Sequence, residues 1–266
     1  MKVFISADIE GITGVTDWEE IKENNPGFRY FQERMTEEVL AACEGALAAG
    51  ATEILVKDAH GKGRNLIPSR FPECVRIIRG WSGHPYAMMQ ELDESFSAAL
   101  LIGYHSAAGS SGHPLSHTMA GDIIKMNGER ISEFVLNTYT AMMVEVPLVF
   151  VAGDEILSRE VRRFNEKIET VVTQEGIGGS TISIHPKLTV KKIREAVEKV
   201  LKTDLSHFNP PLPKQFSVEV QYRKHQDAYR NSFYPGVKVI TENTIEFNSD
   251  NYFDVLRFIM FQGARS

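Results

Sequence analysis

The stretch Val3-Phe4-Ile5-Ser6-Ala7-Asp8-Ile9-Glu10-Gly11 is a short apolar run that ends in two acidic residues. Such a run is typical of a buried β-strand. Residues 54–56 and 98–102 are similar runs, and the segment 36–49, between the first run and residues 54–56, has the apolar spacing of a helix. Strands that alternate with helices predict an α/β fold with a mostly parallel sheet flanked by helices.

The rest of the chain continues this alternation and then changes character. Further strands are expected at 75–78 and 148–151, and further helices at 133–145, 156–168 and 189–201. Thr36 is the expected N-cap of the first helix, and Asn127-Gly128 predicts a hairpin turn within residues 123–131. The proline-rich segment 209–213 predicts a linker, followed by short strands and a terminal helix. We therefore predict an α/β domain over 1–208, which is expected to carry the functional site, and a small α+β domain over 209–266.

Composition restricts the classes of function. The chain has 266 residues and a formal net charge of −6, which argues against nucleic acid or an anionic membrane as a partner. The acidic residues at positions 8 and 10 interrupt the first apolar run, so no signal peptide is expected, and no apolar stretch is long enough for a membrane span. The expected compartment is the cytoplasm, with Cys43 and Cys74 as reduced, buried thiols.

Acidic and histidine residues follow three of the predicted strands. Asp8 and Glu10 follow the first strand, His60 follows the second, and His105 follows the strand at 98–102. Ligands of open parallel sheets bind outside the carboxyl ends of the strands, so these side chains are expected to converge. Two carboxylates at such close spacing repel each other, and a cation relieves the repulsion. The pattern predicts a metal site, although each residue taken alone is more often a cap or a structural histidine than a metal ligand.

Two further residues are candidates for this site. Glu133 begins the helix after the hairpin, where the helix dipole also favours a carboxylate for purely structural reasons. His117 lies after a loop rich in Gly, Ser and Pro and is a candidate acid or base. Asp58 and Asn65 are candidates for supporting or substrate contacts. The remaining histidines are expected to be structural or exposed; they are His84, His113, His185, His207 and His225.

An ordered set of short motifs resembles the DppA-type D-aminopeptidases, a family of zinc metallopeptidases. The resemblance is dense to about Asp154 and looser but colinear beyond it, and the loop between His105 and His117 is slightly longer than in the family pattern. The motifs are Asp8-Ile9-Glu10-Gly11-Ile12-Thr13-Gly14, Met35-Thr36-Glu37-Glu38, Asp58-Ala59-His60-Gly61, Gly103-Tyr104-His105, Ser116-His117-Thr118-Met119, the segment from Asn127-Gly128 to Glu133, and Val151-Ala152-Gly153-Asp154.

The resemblance implies an enzyme that removes N-terminal residues, D-amino acids among them, from short peptides by means of a metal-activated water. It implies two divalent metal ions, with zinc as the expected metal, although the ligand types also suit Mn²⁺, Co²⁺ and Ni²⁺. It implies that Asp8 bridges the ions, that His117 is catalytic, and that ten copies form a ring. The implied ligands are Asp8, Glu10, His60, His105 and Glu133.

Two alternative functions remain open from the residues alone. A Mg²⁺-dependent phosphohydrolase or phosphotransferase often carries an Asp-x-Asp motif after its first strand, but the second acid here is Glu10 and two histidines join the set. A metal-stabilised protein that binds peptides without cleaving them is the other alternative. The expected lack of a signal peptide argues against it, because peptide capture for uptake takes place outside the cytoplasm.

Overall fold

Two β-sheets organise the computed structural model, which describes residues 1–120 and 122–262. In chain order the strands are β1 (Lys2–Ala7), β2 (Glu53–Asp58), β3 (Val75–Ile78), β4 (Ala98–Tyr104), β5 (Ile123–Met126), β6 (Glu129–Arg130), β7 (Leu148–Asp154), β8 (Glu169–Ile177), β9 (Ser180–Ser183), β10 (Phe216–Gln221), β11 (Val237–Thr241) and β12 (Thr244–Ser249). The helices are α1 (Phe28–Ala48), α2 (Glu133–Met143), α3 (Glu155–Phe164), α4 (Pro186–Leu201), α5 (His225–Asn231) and α6 (Tyr252–Gln262).

The larger sheet carries the core of the fold. Its strand order is β3-β2-β1-β4-β7-β8-β9, and all neighbouring strands are parallel except the β8–β9 pair. Every residue of β4 and β7 is buried, as expected for strands covered on both faces. This arrangement confirms the predicted α/β fold with a mostly parallel sheet flanked by helices.

The smaller sheet is antiparallel and combines two parts of the chain. Its order is β11-β12-β10-β5-β6, so the hairpin at Asn127-Gly128 pairs with strands that lie about 90 residues later in the sequence. Both Asn127 and Gly128 have positive φ values, which the predicted two-residue turn requires. A domain boundary near residue 208 stays a prediction, and the sheet that follows it includes strands that precede it.

Helix α1 begins eight residues before the predicted start. Phe28 is its first residue, and Thr36 is not an N-cap but lies inside the helix, where its hydroxyl donates to the carbonyl of Gln32. A buried threonine can make this bond to the preceding turn without ending the helix. Gly50 follows the helix with a φ of +95°, as predicted for a glycine at this position.

The structure tests the prediction that both cysteines are reduced, buried thiols. Cys43 and Cys74 are both unpaired, but only Cys43 is buried, so the prediction of two buried thiols is wrong for Cys74. Cys74 directly precedes β3, a strand without a fully buried residue.

Within residues 1–120 and 122–262, none of the helices combines the length and the apolar character that a membrane crossing needs.

Candidate metal centre

The site lies where the larger sheet changes direction, between β1 and β4. Strands β2 and β3 extend from one side of β1, and β4 and β7 from the other. The ends of β1 and β4 approach so closely that only glycine fits there. A Cβ on Gly11 would lie 1.9 Å from the carbonyl oxygen of Tyr104, and Gly103 has a φ of +72°. This approach brings the residues after both strands, Asp8 and His105, to the same crevice.

The first group of possible metal ligands consists of Asp8, Glu10 and His60. His60 Nδ1 lies 3.0 Å from Glu10 Oε2 and 3.4 Å from Asp8 Oδ1. Both carboxylates are almost fully buried, at 2% and 1% exposure. Three donor atoms that lie this close together in the interior form a set that can hold one cation.

The second group consists of Asp8, His105 and Glu133. His105 Nε2 lies 3.6 Å from Asp8 Oδ2 and 3.6 Å from Glu133 Oε2. Among the described residues, His105 Nε2 is buried without a hydrogen-bond partner. Its other ring nitrogen, Nδ1, lies 3.0 Å from the carbonyl oxygen of Ser106, which fixes the tautomer that leaves Nε2 free to bind a metal. The two oxygens of Asp8 therefore face two different groups.

His117 closes the crevice from above His105. Its Nδ1 lies 2.9 Å from the carbonyl oxygen of Leu115, and its Nε2 lies 3.9 Å from both Glu10 Oε1 and Glu133 Oε1. With Glu10 and His105 it forms a third group that could hold a cation. The six side chains singled out from the sequence thus come together at one site; they are Asp8, Glu10, His60, His105, His117 and Glu133.

The electrostatics of the site are those of buried, crowded carboxylates. Burial and the charge of Glu10 raise the pKa of Asp8 well above its ordinary value. Burial opposes the charged form of His105, but the nearby carboxylates of Glu133, Glu10 and Asp8 raise its pKa to about 10. Three carboxylates in one pocket need positive charge beside them, and divalent cations supply it more effectively than protons at neutral pH.

A buried network holds the turn that carries His60. Asp58 Oδ2 accepts from the backbone N–H groups of Asn65 and Leu66, at 2.6 and 2.8 Å. The side-chain amide of Asn65 donates to Asp58 Oδ1 at 2.7 Å and to the carbonyl oxygen of His60 at 2.9 Å. Asp58 and Asn65 are 0% and 2% exposed, and their side chains bond to this turn, so they support His60.

An open cleft of about 510 Å³ leads to the site, and it includes residues that the sequence reasoning missed. Apart from Met119, no periodicity or motif distinguishes these residues, because they come from short connecting segments that only the fold brings together. The missed residues are Trp18, Trp81, Met88, Met119, Ala120 and Arg223. One local signal was available for Met119, which is the last residue of the motif that contains His117; its N–H donates to Glu133 Oε1 at 2.7 Å.

Comparison with known proteins identifies the family. The D-aminopeptidase (peptidase M55) family model matches residues 1–261. The chain belongs to the D-aminopeptidase family. It is 27% identical over 266 residues to the D-aminopeptidase of Bacillus subtilis (strain 168). The alignment covers 98% of this chain and 96% of that protein. The resemblance seen in the motifs is thus confirmed, as is the predicted class of enzyme, an aminopeptidase and hence a hydrolase.

The fold of this D-aminopeptidase family member also matches a solved structure. That structure is the Zn-dependent D-aminopeptidase DppA from Bacillus subtilis, described as a self-compartmentalizing protease. The two superpose with a TM-score of 0.90 at 24% identity, over 98% of this chain and 96% of the other. At this identity the match establishes a shared fold.

The other histidines of this family member lie outside the crevice, as the sequence indicated. His113 is buried, with Nε2 2.9 Å from the carbonyl oxygen of Val15 and 2.9 Å from Gln174 Nε2. His84, His185, His207 and His225 are exposed. His185 is the N-cap of α4, where its ring accepts from the N–H of Lys187.

Proposed function

We propose that this chain is a dinuclear metallo-aminopeptidase that removes N-terminal residues, preferentially D-amino acids, from short peptides. The observation that carries the proposal is the position of Asp8, whose Oδ1 faces His60 and whose Oδ2 faces His105. A carboxylate shared in this way suits a bridging ligand between two ions. The D-preference rests on the family description and on the names of the relatives, not on the cleft itself.

Five residues would hold the ions. Their donor atoms, imidazole nitrogens and carboxylate oxygens, are those that zinc accepts, and the unpartnered Nε2 of His105 fits a ligand role. When bound, two such ions supply Lewis acidity that activates water and polarises the scissile carbonyl group. The proposed ligands are Asp8, Glu10, His60, His105 and Glu133, with zinc as the proposed metal.

His117 is the proposed catalytic residue. The carbonyl oxygen of Leu115 accepts from its Nδ1, so Nε2 is the atom directed toward the carboxylate cluster. The His117 side chain is 18% exposed, so its ring reaches the cleft. A ring placed here can deliver a proton to the leaving amine or donate a hydrogen bond to the developing oxyanion.

We also propose a homo-oligomer, a ring of ten, in the cytoplasm. Several large apolar side chains of the C-terminal segment are exposed, which suits contacts between copies; they are Tyr229, Phe233, Val239, Ile240 and Phe261. The self-compartmentalizing description of the solved relative supports an enclosed assembly. The unpaired Cys43 and Cys74 are compatible with a reducing compartment. Light scattering should give ten times the 29.9 kDa of one chain, and a fully active monomer would contradict the ring.

A panel of dipeptides tests the proposed activity. Zinc-loaded protein should hydrolyse D-alanyl-D-alanine faster than L-alanyl-L-alanine and should lose this activity in a chelator. Para-nitrophenyl phosphate in the same assay tests the phosphohydrolase alternative, which predicts release of phosphate. Peptide binding without hydrolysis, at full zinc content, would instead favour the non-catalytic peptide-binding protein.

A further inference from the structure

Arg223 lines the cleft from the smaller sheet. It lies just after β10, whereas the proposed metal ligands come from the strand ends of the larger sheet and from the start of α2. Among the lining residues that the structure describes, Arg223 is the one lysine or arginine. The cleft therefore presents a cation on a wall that is separate in sequence from its carboxylate cluster.

The guanidinium of Arg223 is not engaged by the part of the chain that the structure describes. The side chain is exposed, and within residues 1–120 and 122–262 it has no hydrogen-bond or ion-pair partner. The buried carboxylates Asp8 and Glu133 face histidines and lie beyond ion-pair distance of Arg223. An unpaired guanidinium offers a fork of N–H donors that matches a carboxylate in geometry and charge.

A short peptide brings such a carboxylate into the cleft. When the first peptide bond of a dipeptide lies at the carboxylate and histidine cluster, the C-terminal carboxylate belongs to the very next residue. The cleft of about 510 Å³ is of the size that encloses small ligands, and both the carboxylate and histidine cluster and Arg223 line it. The guanidinium on this wall is thus complementary in charge to the carboxylate end of such a peptide.

We infer that Arg223 binds the C-terminal carboxylate of the substrate and restricts efficient hydrolysis to very short peptides with a free C-terminus. This inference rests on the proposed aminopeptidase function. It assigns a specificity-determining residue for which neither the spacing of the sequence nor the metal cluster gives a signal.

Two substrates that differ in one group test the inference. D-Alanyl-D-alanine and its C-terminal amide present the same scissile bond, and only the first carries the negative charge. The zinc-loaded wild type should prefer the free acid by roughly 10- to 100-fold in kcat/KM, which corresponds to one charge-assisted hydrogen-bonded pair. Most of the difference should lie in KM, because the carboxylate is not a reacting group. The preference should weaken as salt is raised, because Arg223 is exposed.

A neutral variant of Arg223 and a control variant of the adjacent Lys224 complete the test. In Arg223→Gln the preference should fall to near unity, and Arg223→Lys should keep part of it. Lys224→Gln is the matched control, because Lys224 is the next residue, is exposed and does not line the cleft, so it should keep the full preference.

Three results would count against the inference. Equal kcat/KM of the wild type for acid and amide would overturn it. A loss in Arg223→Gln that is equal for both substrates would also overturn it, since it would indicate a structural role. Failure of the wild type to hydrolyse either dipeptide at full zinc content would instead overturn the proposed function, and the inference with it.

Discussion

The imidazole rings of His105 and His117 are stacked, with centroids 4.4 Å apart and planes inclined by 15°. The inner ring is fully buried, and the outer ring is 18% exposed. A backbone carbonyl lies at hydrogen-bond distance from Nδ1 of each ring, so both Nε2 atoms point toward the carboxylate cluster. This layering separates the proposed roles, because the inner ring can serve as a ligand while the outer ring is left to move a proton.

Replacement of the outer ring should therefore affect rate more than metal content. In His117→Ala, kcat should drop by roughly 10²- to 10⁴-fold, the usual range for a positioned acid or base, while zinc content stays at two per chain. Zinc analysis and steady-state kinetics on the same sample measure both. His225→Ala, which removes an exposed histidine away from the cleft, is the control. Loss of zinc in His117→Ala would make His117 a ligand through its grouping with Glu10 and His105.

The shared carboxylate is the next point to test. Asp8→Asn keeps the shape of the side chain but replaces one carboxylate oxygen with an NH2 group, which cannot bind a cation. Zinc content should fall below two per chain, and activity should drop by roughly 10³-fold or more, because several kcal/mol of charge stabilisation are lost. Full zinc content in this variant, measured after dialysis against metal-free buffer, would refute the bridging role of Asp8.

The convergence of side chains at this site could be predicted from the sequence, because it depends only on where the parallel strands end. Parallel strands place their carboxyl ends at one edge, so His60 and His105 could be assigned to the same crevice without any distance information. The start of α1 and the strand β8 could not be assigned in the same way. In β8, a Gln and a Glu interrupt the apolar pattern, although Gln174 is buried and donates to the carbonyl oxygen of Glu10.

The residues that line the walls of the cleft could not be predicted from the sequence, because they come from segments far apart in the chain. Trp18 packs against the His117 ring at 5.3 Å between centroids, yet 99 positions separate the two residues in the chain. Arg223 lines the cleft only because β10 pairs with β5, next to the loop that carries His117. Pairing between such distant segments is decided by packing of the whole fold, and no local pattern of residues encodes it.

The support beneath His60 provides a third prediction. Asn65→Ala removes the amide that holds the carbonyl oxygen of His60 and Asp58 Oδ1 in place. Zinc affinity should fall by roughly 10- to 100-fold, as is usual when the partners that orient a metal ligand are lost. At saturating zinc, kcat should recover most of its value, because the reacting groups are intact. Asn248→Ala, an exposed asparagine of β12, is the control, and unchanged zinc affinity in Asn65→Ala would contradict the prediction.

Metal uptake should depend on pH, with higher affinity at higher pH. The neighbouring carboxylates raise the pKa of His105 to about 10, so below that pH the metal-free site carries a proton on His105. An entering ion must displace that proton, and affinity should therefore rise roughly tenfold per pH unit for each proton released. Competition with a chelator at pH 6, 7 and 8 measures this slope. At limiting zinc, activity should fall as the pH is lowered toward 6, and an affinity independent of pH would rule out His105 as a ligand.

The last prediction concerns Glu38, a buried carboxylate of α1 outside the crevice. One oxygen accepts from the N–H of Thr13 at 3.0 Å, and the other has no hydrogen-bond partner among the described residues. Burial raises the pKa of Glu38 from 4.5 to about 7. Below pH 4.5 the group carries a proton in both the folded and the unfolded chain, so folding meets no penalty. As pH rises through 7, Glu38 must ionise while it is buried in the folded state. The stability that the protonated form of Glu38 gives at low pH is then lost.

The size of this effect follows from the shift in pKa. A rise from 4.5 to about 7 corresponds to about 3 kcal/mol of unfolding free energy between pH 4 and pH 8. Gln cannot ionise. Between pH 4 and pH 8, Glu38→Gln should therefore lose about 3 kcal/mol less unfolding free energy than the wild type. Urea unfolding of the metal-free protein at both pH values measures the difference. Glu44→Gln, on the exposed part of the same helix, should behave like the wild type. An identical pH dependence in wild type and Glu38→Gln would show that Glu38 keeps its charge in the folded protein.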